Sequence, residues 1–216
     1  NNYRTNLLLS GNAEKGLQQE TDFAVVEADE YDRSFLHLSP EIAVISAIDP
    51  DHLDIYGTYN QLLEAFGKFT ENLRDGGTLI VNHAIKDRLE YSGRYKVYTY
   101  SMHNEEAAIH AANMQRRGLG YQYDIVLPGG DRVEGVKPEW PARINIENAV
   151  AAAGAAWLAG ANPQQIKTAL SNFSGIWRRF DMHIHKADLV YIDDYAHHPK
   201  EIEQTLDAAR DLFTGK

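Results

Sequence analysis

The chain has 216 residues, enough to bury a substantial core as one large domain or as one domain with part of another. Lys and Arg number 21 against 31 Asp and Glu, a formal charge of -10, which argues against a nonspecific hold on nucleic acid or on an anionic membrane; any phosphate must be met locally, by backbone amides, a metal or a few placed cations. There is no cysteine, which excludes disulfides and thiolate metal sites; no apolar stretch approaches the roughly 20 residues of a membrane span, no signal-peptide pattern opens the chain, and the cytoplasm is the expected compartment.

The first residues, Asn1-Asn-Tyr-Arg, lack an initiator Met, and the chain stops at Leu212-Phe-Thr-Gly-Lys216 just past a helical pattern, so a piece of something longer is expected. Apolar runs at 23–26 and 42–48 read as buried parallel strands. Thr58 is placed to cap a helix from about Tyr59 to Leu73, with Leu62, Leu63, Phe66, Phe69 and Leu73 at helical spacing and Asp75-Gly76-Gly77 as the stop. Thr78-Leu-Ile-Val81 then completes a strand, helix, strand unit. From about 94 to 137, polar and apolar residues alternate between Gly-rich turns, the pattern of a small antiparallel sheet. Asn145 restarts a helix with Ile146, Ala149, Val150, Ala153 and Trp157 on one side, and Gly160 ends it. Asn162-Pro163 opens another helix, to about Phe173, and 174–181 reads as a connector. Leu189-Val-Tyr-Ile192 resumes as a strand and 199–213 as a helix, the start of a second α/β unit. The fold class is α/β, a mostly parallel sheet flanked by helices with a small antiparallel sheet.

Two acidic clusters follow the first two apolar runs, where open α/β sheets hold their ligands. In Glu27-Ala-Asp-Glu-Tyr-Asp-Arg-Ser-Phe, the crowded carboxylates call for a cation, although a solvated loop with Arg33 as partner accounts for the run equally well. In Asp49-Pro-Asp-His-Leu-Asp54, Pro50 stiffens a turn that aims carboxylates and His52 together; Mg²⁺ prefers oxygen, so His52 alone is a poor ligand for it, but one imidazole beside carboxylates and water is compatible with the ion, and an acidic turn capping the next helix explains Asp54 equally well. Asp193-Asp-Tyr-Ala-His-His-Pro199 again joins a strand to a helix start. Its His pair invites zinc but has no cysteine and no third ligand at a fixed spacing, so phosphate or carboxylate recognition at the helix N-terminus fits better. Arg178-Arg179 offers bidentate donors for phosphate, or is a surface pair without a role. Asn145 and Asn148 either cap a helix or present paired amides to a purine edge. Gly130-Asp-Arg-Val-Glu-Gly135 has phosphate-loop glycine spacing without the following Lys and hydroxyl, so it is a hairpin and no triphosphate cradle.

In this order, the two acidic clusters, Asn145-x-x-Asn148, Phe173-x-Gly-x-x-Arg-Arg-Phe180 and Asp193-Asp-Tyr-Ala-His-His-Pro199 resemble the Mur ligases from about residue 20 onward, nearest to the branch that adds L-alanine to UDP-N-acetylmuramate. The resemblance implies a central ATPase domain over 1–177, incomplete at its start, and the first strand and helix of a Rossmann-like C-terminal domain over 178–216. It implies ATP and Mg²⁺ as cofactors and an acyl phosphate intermediate, with UDP-N-acetylmuramate and L-alanine as substrates of the longer enzyme; the fragment alone is expected to be inactive. Residue by residue, Glu27 and His52 match the metal ligands, and Asn145 and Asn148 match the pair near adenine. Arg179 and Asp194 match contacts to phosphates and ribose, and Arg178, Tyr195 and His197 match positions near the incoming amino acid. Two departures stand out. Ile144 replaces a histidine common before the first asparagine, and Phe66 occupies the position of the carbamylated lysine used by the later ligases, with Lys68 two residues out of place. The alternatives are a recycling ligase that attaches a tripeptide, a metal-dependent phosphohydrolase built on 49–54 with His197 and His198, and a non-catalytic nucleotide-binding module.

Overall fold

The computed structural model describes residues 23–118, 120–138, 144–186 and 188–213; the opening stretch of the chain and the side chain of Ile144 lie outside them. A six-stranded sheet runs in the order β1 (Ile42–Ile45), β2 (Thr78–Asn82), β3 (Lys96–Ser101), β4 (Ile109–Arg117), β5 (Gly120–Val126) and β6 (Arg132–Val136). The pairs from β1 to β4 are parallel, and β4, β5 and β6 pair antiparallel. The antiparallel region expected over 94–137 is therefore no sheet of its own: its first strand belongs to the parallel part, and the others extend the same sheet. Alternation along a strand reports which faces are buried, and it is silent on the direction of the neighbour.

Helices cover both faces. On one side lie α1 (Leu53–Tyr56) and α2 (Tyr59–Glu71), on the other α3 (Ile144–Leu158) and α4 (Pro163–Ser171). β2 shows why its sequence is apolar throughout: Leu79 and Val81 face Leu62, Ala65 and Phe69 of α2, while Ile80 faces Val150 and Ala153 of α3, and all three strand residues are fully buried. α3 packs close, because a Cβ on Gly154 would lie 2.5 Å from Cδ1 of Ile109. α2 begins in a capping box: the Gln61 amide donates to the Thr58 hydroxyl at 3.3 Å and the Thr58 amide donates to Gln61 Oε1 at 3.2 Å. The turn into β2 needs Gly77, whose Cβ would meet the carbonyl oxygens of Arg74 and Glu41 at 2.8 and 2.9 Å.

A separate two-stranded antiparallel sheet, β7 (Asp181–His185) with β8 (Val190–Asp193), is followed by α5 (Pro199–Leu212). Its own small core is Phe180, Ala208 and Leu212. The connector expected over 174–181 ends at Phe180, and Asp181 opens β7.

The strand expected at 23–26 does not form. Phe23, Val25 and Val26 are 55%, 98% and 61% exposed, residues 23–30 are irregular, and β1 is the outermost strand on that side among the described residues. An apolar run becomes a strand only against a hydrogen-bonding neighbour, and among the described residues none lies beside it.

Candidate functional site

Three groups of polar side chains sit at or beyond the carboxyl ends of strands. The first surrounds His52. The chain leaves β1 and turns at Asp49-Pro-Asp51, and His52 enters α1 with a left-handed backbone, φ 53°. Its Nε2 lies 3.6 Å from Asp51 Oδ2 and 3.7 Å from Glu30 Oε1, and its ring meets the Tyr31 ring edge-on at 5.1 Å between centroids. Glu30 and Tyr31 are held there by a short helical segment (Tyr31–His37) anchored by Phe35, which is buried against Phe66 and Phe69. Tyr56 donates to the carbonyl of Glu30 at 2.5 Å, tying α1 to the same segment. From the far end of the chain, His198 Nε2 reaches Asp51 Oδ2 at 2.9 Å and Lys200 Nζ reaches Asp49 Oδ1 at 2.8 Å. Of the first acidic cluster it is Glu30 whose carboxylate lies beside His52; Glu27 is exposed three residues upstream. Glu30 stood in the acidic run without a role of its own, and His198 was weighed only as half of a zinc-inviting pair and as a partner of 49–54 in the phosphohydrolase alternative.

The second group joins the connector to the β8–α5 loop. The carboxylate of Asp194 accepts from the backbone amides of Phe180 at 2.7 Å and Ala196 at 2.8 Å, and the Tyr195 amide donates to the Arg178 carbonyl at 2.8 Å. Arg178 has φ 57°, its Nε lies 3.5 Å from Asp193 Oδ2, and its guanidinium stacks on Tyr195 at 4.8 Å. Tyr195 in turn lies 5.2 Å from the His197 ring, inclined at 60°, so Arg178, Tyr195 and His197 form one contiguous row. Arg179 is exposed, without a carboxylate within 4.0 Å among the described residues. His197 Nδ1 lies 3.1 Å from the Tyr195 carbonyl. Burial would raise the Glu201 carboxyl, but the amides of His197 and His198 and the two imidazoles outweigh it and hold it below the ordinary glutamate range.

The third group opens α3, beside the ends of β2 and β3. Asn145 is buried, 8% exposed, and its Nδ2 has no hydrogen-bond partner among the described residues, while Asn148 one turn on is exposed. A buried amide with an orphaned donor points to a ligand acceptor. Between them in sequence, Glu147 turns to the sheet: Oε2 accepts from the Met102 amide at 2.8 Å and Oε1 from Asn82 Nδ2 at 3.2 Å. Burial lifts its carboxyl above the ordinary glutamate range, against the opposing pull of the Met102 amide, His103 and Asn82. The sequence reading passed over Glu147; its only signal was that it is the one charged residue of a helix that is otherwise apolar but for Asn145 and Asn148.

No group of three or more His, Asp or Glu side chains among the described residues closes on a single point as a metal cage. Mg²⁺ does not need one, since one or two carboxylates with water and phosphate oxygens suffice, and the oxygen-rich set around His52 fits a cation held in that way.

A sheet with helices on both faces and polar loops gathered at the strand ends defines an α/β protein of the class that binds ligands along that edge. The chain belongs to the Mur ligase family: the Mur ligase middle domain matches residues 1–156. It is 43% identical over 215 residues to the UDP-N-acetylmuramate–L-alanine ligase of Phocaeicola vulgatus, and 38% identical over 216 residues to the ligase of the same name from Porphyromonas gingivalis. These alignments take in 100% of this chain but only 44% and 45% of the relatives, so the chain spans less than half of their length. Among solved structures, the UDP-N-acetylmuramate-alanine ligase of Thermotoga maritima has a TM-score of 0.68 at 23% identity, covering 85% of this chain and 41% of that one. The MurF ligase of the same organism, solved in complex with ADP, has a TM-score of 0.66 at 13% identity, covering 85% and 43%. The likeness to both is one of fold. Phe66 packs its ring on Phe35, and Lys68 is exposed.

Proposed function

We propose that the chain is the central part of an ATP-dependent ligase that joins L-alanine to UDP-N-acetylmuramate in cytoplasmic peptidoglycan synthesis, with 1–177 as the ATP-binding domain and 178–216 as the start of a Rossmann-like domain. One observation carries it beyond the family: loops near residues 30, 51 and 198 meet around His52 at the sheet edge. The substrate pair follows the relatives that match the whole chain.

In this reaction the muramoyl carboxylate attacks the γ-phosphorus of ATP, ADP leaves, the amine attacks the acyl phosphate carbonyl, and phosphate departs from a tetrahedral intermediate. By the family resemblance Glu27 and His52 would hold Mg²⁺, Glu27 coming from the same acidic segment whose Glu30 lies beside His52, and the ion when bound would offset the charge of the phosphate oxygens. Asn145 and Asn148 would meet adenine, the orphaned Nδ2 of Asn145 supplying a donor. Arg179, without an acidic partner among the described residues, would take phosphate oxygens, and Asp194 would face the ribose while its bonds to the Phe180 and Ala196 amides keep the loop in shape. With the proton of His197 on Nδ1 and directed at the Tyr195 carbonyl, Nε2 is left to accept a proton from the incoming ammonium. Arg178, stacked on Tyr195, would face the amino acid carboxylate.

The test is made in the full-length enzyme. ATP-dependent ligation of UDP-N-acetylmuramate should proceed with L-alanine and not with a tripeptide acceptor, and folded Glu27→Ala and His52→Ala variants should lose it. Normal activity in both variants overturns the metal assignment, and preference for the tripeptide overturns the substrate. The isolated chain should bind Mg-ATP weakly at most, which calorimetry checks.

A further inference from the structure

We infer that Glu147 is a positioning residue for the nucleotide base: its carboxylate clasps the first turn of α3 to the ends of β2 and β3 and thereby sets where Asn145 and Asn148 point. This deepens the proposed function and rests on its placement of the base beside that asparagine pair.

The clasp has a definite chemistry. Two donors from different strands, the Met102 amide beyond β3 and Asn82 Nδ2 at the end of β2, need two acceptors at the tip of one side chain, and the oxygens of Glu147 supply one each. Asn82 is itself oriented, because its Oδ1 accepts from the Ala84 amide at 3.0 Å. Fully buried Tyr100 lies close by: burial first, and then the charge of Glu147, push its hydroxyl above the ordinary tyrosine range. A charge half-withdrawn from water is costly to keep unless its hydrogen bonds do something an apolar residue could not. Here they fix both the height and the rotation of α3 relative to the strand tips. Successive helical residues turn by about 100°, so Glu147 projects from nearly the opposite side of α3 to Asn145. It can hold the helix without competing for the ligand. Asn145, by contrast, is buried with Nδ2 unpartnered, which makes its direction the quantity a ligand would read.

The test exploits polarity. In Glu147→Gln one acceptor remains, so the side chain can serve Met102 or Asn82 but not both. Adding Asn82→Asp reverses the second bond: the new Gln donates to the new Asp, while its oxygen still accepts from Met102 and the Asp still accepts from Ala84. In the full-length enzyme, Glu147→Gln should raise the KM for ATP about fivefold to tenfold with kcat within about twofold, and should lower the preference for ATP over GTP, the effect of a misaligned hydrogen-bond pair. The Asn82→Asp/Glu147→Gln pair should recover most of that loss, and Asn82→Asp alone, which sets two carboxylates against each other, should not. A Glu147→Gln enzyme that melts earlier yet keeps both KM and base preference overturns the inference and leaves Glu147 a stability residue. Asn145→Ala separates the two levels: if it changes neither KM nor base preference, the base site itself is misplaced; if it changes both while Glu147→Gln changes neither, only the clasp is wrong.

Discussion

His52, Arg178 and Phe180 are L-residues with left-handed backbones, φ 53°, 57° and 51°, as are Asp32 and Arg33 in the acidic segment. This conformation costs about 1–2 kcal/mol for a residue with a Cβ, and such residues gather where a side chain must be aimed. At His52 it turns the chain abruptly from the β1 loop into α1 and points the imidazole back at Glu30 and Asp51. Replacement by glycine relieves the backbone while removing the ring. His52→Gly should therefore be about 1 kcal/mol more stable than His52→Ala in thermal or urea unfolding, yet equally deficient in ligation. If the glycine variant is no more stable, the strain is not at that residue. Glu201 gives a pH dependence. Its folded pKa is depressed, so the stability it contributes is complete above the ordinary glutamate value of 4.5 and is lost as pH falls through the lower folded value. Helicity of α5 should decline through that acid window in the native chain, and Glu201→Gln should remove this part of the acid transition.

Short elements carry the scaffold that aims these residues. Thr58 and Gln61 close the N-terminus of α2, so Thr58→Ala should cost about 1 kcal/mol in chemical unfolding. Phe35 is 2% exposed, with ring centroids 5.2 Å from Phe66 and 5.1 Å from Phe69, and it pins the segment bearing Glu30 and Tyr31 onto α2. Phe35→Ala should cost about 3 kcal/mol or more from lost burial and the cavity left behind. It should also lower activity beyond the fraction unfolded, because Glu30 loses its support; unchanged specific activity in the folded fraction would separate Phe35 from the site.

Two unequal cores hold the molecule together. The six-stranded sheet is buried on both faces, while among the described residues the β7, β8 and α5 unit buries Phe180, Ala208 and Leu212, with Ile192, Ala209 and Phe213 partly buried beside them, and keeps Ile202 and Leu206 of α5 42% and 49% exposed. α5 is tied to the large sheet at both ends, by His198 to Asp51 and Lys200 to Asp49 near its start, and by Tyr121 to Asp211 and Arg116 to the Leu212 carbonyl near its finish. The exposed Lys200–Asp49 pair should show a coupling of less than about 1 kcal/mol in a double-mutant cycle. Amide exchange should open α5 and β8 well before β2, whose Leu79, Ile80 and Val81 are fully buried. Equal protection across the two regions would mean that one cooperative unit spans both.

Capping residues, apolar periodicity and glycine stops act over a few residues, and so α2, α3, α4, α5, β2 and β8 were legible from the sequence alone to within a few positions. The polar runs at 49–54 and 193–199 likewise follow β1 and β8, as the apolar runs before them implied. Pairing was decided only by the tertiary structure. Residues 23–26 are apolar but find no strand beside them among the described residues, and β4 to β6 join the parallel sheet although alternation could not report it. That Glu30 comes to His52, that His198 reaches Asp51 and that Glu147 turns to Met102 depends on which strands lie side by side and in what register, and these contacts join residues from 22 to 147 positions apart in the chain. Local propensity extends over a turn or two; convergence across such separations exists only once the sheet and its helices have packed.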